Sequence, residues 1–204
     1  MNKKKWILCL CYGIAALVFL LMTVGAWLAD RVSAASGRLT AETLTAEDLT
    51  LTDLRRNADG TLTVTGGDPQ LLYRVPEGRS VRGVQLRLSA PVRGECSLYY
   101  LKDGQTDFSG RQTVLSAYGE EQDFTYLLPC FVRCTALRLD TGCTVGDTFA
   151  VEQLRLNASL PLSAYLSVGP RTAAVFLFCP LLAACAVITA AELLCVPKKT
   201  EKED

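Results

Sequence analysis

Few residue types in this 204-residue chain could carry out chemistry, and histidine is not among them. Its absence excludes Ser-His-Asp and Cys-His nucleophiles and the His-containing zinc sites. What remains suits binding better than catalysis. A polyhydroxylated ligand needs an aromatic ring against its apolar face and Asp, Asn or Arg groups for its hydroxyls. Tyr99 and Tyr100 are neighbours in an extended run, so one of them must face outward. Tyr118, in the turn-like string Ser116-Ala117-Tyr118-Gly119, is the leading loop aromatic, and Asp68, Asp107 and Arg111 fall near expected loops. These five residues (Asp68, Tyr99, Asp107, Arg111 and Tyr118) are the candidate ligand-binding set. Their competing roles are packing for the tyrosines and turn capping for the charged three.

Catalysis has less behind it. Glu95, Asp123 and Asp140 could be paired on paper for glycoside cleavage, but any domain of this size offers such carboxylates. No G-x-S-x-G, P-loop or S-x-x-K stands in a fitting context. Asp68 or Asp107 could join backbone carbonyls around calcium, yet no DxDxDG array is present. The expectation is a non-enzymatic protein with no metal and no cofactor. Basic and acidic residues balance at 21 each, which leaves no basic footprint for nucleic acid.

Two apolar blocks set the frame for these residues. Trp6 to Leu28 and Thr172 to Ala191 carry no charge, and each is long enough to cross the ~30 Å bilayer core as a helix. Pro180 predicts a kink in the second, and Glu192 is expected to sit hydrated at its far end. Lys3, Lys4 and Lys5 precede the first block, while Lys198, Lys199 and Lys202 follow the second. By the positive-inside rule both termini are cytoplasmic, and the intervening domain lies outside the cell membrane. A second reading makes the first block a signal peptide cleaved after Ala34. Residues 30–169 hold 14 basic and 17 acidic residues, an excess that argues against electrostatic capture of an anionic lipid or polymer.

Between the blocks the pattern is that of short strands. Val84, Leu86 and Leu88 share one face, and Leu137 and Leu139 share another. Phe149 and Val151 are out of phase with Leu154 and Leu156, which predicts a bulge near Glu152 and Gln153. Strands are also expected at 61–65, 71–75, 97–101, 112–116 and 124–128, separated by Asp59-Gly60, Gly66-Gly67-Asp68-Pro69, Pro76-Glu77-Gly78 and Asp103-Gly104. The expected fold is an all-β ectodomain between two transmembrane helices: a two-sheet, jelly-roll-like β-sandwich of eight or nine strands. The expected organisation is a cytoplasmic N-terminus (1–5), a helix (6–28), a linker (29–48), the sandwich (49–158), a linker (159–171), a helix (172–195) and a cytoplasmic tail (196–204).

Four cysteines fall in the outside segment: Cys96, Cys130, Cys134 and Cys143. An even number in an oxidising compartment permits up to two disulfides in any of three connectivities. The alternative is that they are small buried apolar residues. Leu160-Pro161-Leu162-Ser163-Ala164 departs from a sortase LPxTG signal at its last two positions, and Asn157-Ala158-Ser159 is a sequon that matters only in a eukaryote.

Read in order, Thr65-Gly66-Gly67-Asp68-Pro69-Gln70-Leu71, Val81 to Leu88, Leu98-Tyr99-Tyr100, Asp107-Phe108-Ser109 and Ala136 to Asp140 resemble a known family. They are similar to the galactose-binding-like, carbohydrate-module-like jelly rolls of bacterial polysaccharide-assembly proteins and membrane glycosyltransferases. The resemblance implies a cell-envelope accessory or recognition module, with polysaccharide and another membrane protein such as a glycosyltransferase as partners. No glycosyltransferase domain accompanies the module, and no sugar-contacting residue matches the family one for one. A protein-interaction scaffold without a sugar ligand is the alternative, and a sortase-anchored surface protein is a third.

Overall fold

The structure, a computed structural model, describes residues 3–92, 94–114, 118–119, 122–129 and 133–194. The described residues divide into a helical unit, 3–23 with 168–194, and a β unit between 24 and 167.

Two helices, α1 (Lys3–Ala35) and α3 (Pro170–Leu194), are long and apolar enough to cross a membrane. Between them lies the four-residue α2 (Leu162–Tyr165). Inside the helical unit the two long helices meet edge to face through Phe19 and Phe176, ring centroids 5.1 Å apart. Pro180 sits within α3 and has no N–H to donate to the Phe176 carbonyl. One residue further on, the Tyr12 hydroxyl donates to the Leu177 carbonyl at 2.7 Å. Glu192 is exposed and also pairs with Lys4 at 2.6 Å.

The β unit holds thirteen short strands among its described residues, not eight or nine. They are β1 (Glu42–Leu44), β2 (Thr50–Thr52), β3 (Leu54–Arg56), β4 (Leu62–Val64), β5 (Gln70–Arg74), β6 (Gly83–Leu88) and β7 (Ser97–Lys102). Then come β8 (Thr113–Val114), β9 (Tyr118–Gly119), β10 (Asp123–Leu127), β11 (Cys134–Asp140), β12 (Thr148–Phe149) and β13 (Val151–Leu156). One five-stranded sheet runs β1-β13-β6-β10-β9 and another β2-β5-β11-β7-β8, with a small β12-β4-β3 sheet beside them. Every pairing is antiparallel.

The core lies between the two large sheets. Val84, Leu86, Tyr126, Leu154 and Leu156 come from the first, and Leu71, Leu98, Leu137 and Leu139 from the second. Alternation along each strand delivers these side chains to one face. Tyr126 is fully buried, and its hydroxyl crosses the core to donate to the Cys96 carbonyl at 2.8 Å. The β13 ladder slips between Val151 and Gln153, where the phase change in the sequence requires a bulge.

The stretch expected to be a linker, 29–48, is structured: α1 continues to Ala35, and β1 pairs with β13. The missed signal is the brevity of β1, three residues with one buried side chain, Leu44. Asn157 is the other residue whose role the sequence did not show. It adopts φ +52°, and its side chain accepts from the Arg82 N–H at 2.7 Å while donating to the Ser80 and Thr40 carbonyls at 2.8 and 3.2 Å. The sequon asparagine is thus a tie between strand ends.

Candidate functional site

The outward face of the β2-β5-β11-β7-β8 sheet gathers aromatic and polar groups. On β7, Leu98 and Tyr100 enter the core, which turns Tyr99 outward. On β11, Leu137 and Leu139 enter the core, which turns Arg138 and Asp140 outward. Register sets Arg138 opposite both Tyr99 and Leu72, and Asp140 opposite both Gln70 and Ser97. The Arg138 guanidinium carbon lies 4.5 Å from the centre of the Tyr99 ring and 5.1 Å from that of Phe108, which arrives from the segment after β7. Both distances are within cation–π range.

This cluster is only partly satisfied. Arg138 Nη2 donates to Asp140 Oδ2 at 2.9 Å, while Arg138 Nε and Asp140 Oδ1 are buried with no hydrogen-bond partner among the described residues. Thr141 Oγ and Gln112 Oε1 are unpartnered in the same way. Burial pushes the Asp140 carboxyl above the usual carboxylate range; Arg138 pulls against this, and the charge of Asp68 adds to the rise. A buried polar atom without a partner is costly, so a ligand hydroxyl able to reach these groups would recover part of that cost.

Four of the five expected residues belong to this sheet or the segments beside it. Tyr99 is half-buried on the face. Asp68 is exposed, accepts from the Gln70 amide and lies close enough to Asp140 to affect its ionisation. Its turn wraps tightly over Asp53: a Cβ on Gly66 would fall 2.2 Å from the Asp53 carboxyl carbon, and Asp53 Oδ2 accepts from the Asp68 N–H at 3.0 Å. Asp107 precedes Phe108, and Arg111 lies two residues before Thr113, the cross-strand partner of Tyr99. Tyr118 is placed elsewhere. It belongs to β9, paired with β10 at the edge of the other large sheet, and not to a turn.

Phe108 and Arg138 are the members that sequence reasoning missed. Arg138 carries an outward phase in its strand, but its pairing with Tyr99 depends on a long-range register.

The carboxylates considered for acid–base work are not all on one sheet. Asp123 is held by Arg87 through bonds of 2.6 and 3.0 Å on the first sheet, and that hydrogen bonding lowers its pKa. Asp140 faces outward on the second sheet, and Glu95 accepts from Ser97. Asp123 is thus on a different sheet from Asp140, whose cross-strand partner Ser97 is the donor to Glu95. The cysteines are equally unsuited to nucleophilic work: burial pushes the Cys96 thiol up to about 12 and raises Cys134 and Cys143 as well. All three are free thiols here, and Cys130 lies outside the described residues. No group of three or more metal-binding side chains occurs among the described residues.

No protein-family model matches the sequence, and no curated protein is similar to it at a significant level. Among solved structures the chain is similar to CBM86, a low-affinity xylan-binding module from Roseburia intestinalis. The two are 18% identical over 57% of this chain and 94% of that one, with a TM-score of 0.40. It is also similar to the C-terminal CBM6 of the laminarinase LamC from Zobellia galactanivorans, at 13% identity over 57% and 98% of the two chains and a TM-score of 0.34. A β-1,3-glucan-binding CBM6 from Bacillus halodurans gives 13% identity over 56% and 90%, also with a TM-score of 0.34.

Proposed function

We propose that the chain is a two-pass membrane protein whose β unit recognises a polysaccharide outside the cell membrane. It would serve cell-surface polysaccharide assembly as an accessory without catalysis of its own. The observation that carries this reading is the Tyr99–Arg138–Phe108 stack, with the unpartnered Arg138 Nε and Asp140 Oδ1 beside it. An aromatic surface next to unsatisfied planar polar groups suits a sugar ring, which offers an apolar face and a rim of hydroxyls. The orientation, with both ends cytoplasmic, is supported by the lysines that flank the two apolar helices.

The test is a glycan screen of the full chain in neutral-detergent micelles, followed by calorimetry. Saturable binding to one polysaccharide class, weakened about tenfold by Tyr99→Ala (roughly the worth of one stacking contact), is the expected result. A loss on Tyr118→Ala with Tyr99→Ala unaffected would move the site to the other sheet. Absence of binding across cell-envelope glycans would overturn the reading and leave the scaffold. Its partner would then be sought by co-purification through the small-residue faces around Gly13 and Ala16 or Ala183 and Ala186.

A further inference from the structure

We infer that three arginines at the α1 end of the β unit form a site for the phosphate headgroup of a membrane lipid. A cavity of about 330 Å³ is lined by Arg38, Arg82 and Arg133, with Asp30, Ser33 and Ser80 beside them. Arg82 is buried; its Nε donates to Asp30 Oδ2 at 2.8 Å, and among the described residues its two Nη nitrogens have no hydrogen-bond acceptor. Arg38 and Arg133 are exposed, and among the described residues their guanidinium groups have no partner either. Three guanidinium groups against one carboxylate leave a local positive excess in a segment that is acidic overall. Planar guanidinium forks match the geometry of phosphate oxygens.

The position in the chain points to a lipid as the source of that phosphate. The α1 wall of the cavity, Ala29, Asp30 and Ser33, begins one residue after the apolar run ends at Leu28. At ~1.5 Å rise per residue, Ser33 lies roughly 7.5 Å along the helix from Leu28. The headgroup layer on one side of a bilayer is about 5–8 Å thick, the difference between the core and the whole membrane. A larger cavity of about 550 Å³ shares Asp30, Leu39 and Arg82, and adds Ala34, Ala35 and Leu160 as an apolar wall for a glycerol backbone. The inference rests on α1 spanning the membrane and not on the glycan reading.

The experiment uses the full chain in neutral-detergent micelles, with native mass spectrometry counting bound lipid. Short-chain phosphatidylglycerol should bind saturably, and a diacylglycerol of the same chain length, which lacks phosphate, should not. The Arg38→Gln/Arg133→Gln double variant changes two exposed side chains and should weaken phosphatidylglycerol binding at least tenfold. Arg55→Gln, an exposed arginine on β3, should leave it unchanged. Equal binding by wild type and the double variant, or equal binding of the diacylglycerol, overturns the site. Inorganic phosphate that occupies the site as tightly as the lipid overturns the lipid as its source. Carbonate extraction of membranes tests the spanning of α1 on its own, so a failure there is distinguishable from a failure of the arginine site.

Discussion

Two arginine–carboxylate–aromatic clusters occupy the β unit, and they are built for opposite ends. In the first, Arg82 donates to Asp30, the Tyr165 hydroxyl donates to the same carboxylate oxygen at 2.7 Å, and Arg82 lies 5.7 Å from the centre of the Tyr165 ring. Its members are 52 and 135 residues apart, and among the described residues its only unused donors, the Arg82 Nη nitrogens, line a cavity rather than being sealed in the core. In the second, Arg138 and Asp140 are two residues apart on one strand, and each keeps a buried atom without a bond. The first joins distant parts of the chain through one shared carboxylate oxygen. The second joins almost nothing distant through its ion pair and stays chemically unsaturated. Topological reach marks the first cluster, and hydrogen-bonding capacity left unused on fully buried atoms marks the second.

The contrast breaks most sharply at Arg82. Arg82→Ala strands a largely buried carboxylate, and the β unit should lose about 3 kcal/mol of stability, read by thermal unfolding of the full chain in micelles. Arg138→Ala should cost about 1 kcal/mol, since that pair is more open and already incomplete. Equal losses at the two positions would erase the distinction.

Asn157→Ala comes next, at about 2 kcal/mol. It removes bonds to the Arg82 N–H and to the Ser80 and Thr40 carbonyls, leaving strand-end groups unsatisfied. Asn157→Asp, which keeps the acceptor and loses the donor, should fall between the wild type and alanine.

The smallest effect concerns pH. The Asp140 carboxyl is raised in the fold, so over the interval between its unfolded and folded values the native state holds more of the proton. Stability contributed at this site is therefore lost as pH rises through that interval. Asp140→Asn should flatten the dependence, measured as unfolding midpoints from pH 4 to 7 against the wild type. An unchanged profile would mean that Asp140 is better solvated than its unpartnered oxygen indicates.

Much of the sandwich was legible because one physical rule writes it. Val84-Leu86-Leu88 and Leu137-Leu139 alternate since each strand has one buried face, and the phase slip before Leu154 shows in the letters because a bulge must shift that alternation. Strands β1, β2 and β3 were not legible: three residues carry too little periodicity, and β1 is held by a partner more than 100 residues along the chain. The candidate face was half legible. Tyr99 follows from its neighbour Tyr100, but the placing of Phe108 over Arg138 arises from how the segment after β7 folds back. The Asp30–Arg82–Tyr165 cluster had no local signature at all.

That cluster and Asn157 also have a mechanical meaning. The chain enters the sandwich at Glu42 and leaves it at Leu156, which are cross-strand partners at one end of an antiparallel pair. Tension drawing α1 and α3 apart would therefore meet β1 and β13 as a zipper, breaking their bonds in succession rather than in shear. Ahead of the zipper stand two latches: the Asp30–Tyr165 bond, which links α1 directly to α2, and then Asn157, which holds Thr40 to Ser80. Such a pull must release both latches before it reaches the first rung of the sheet.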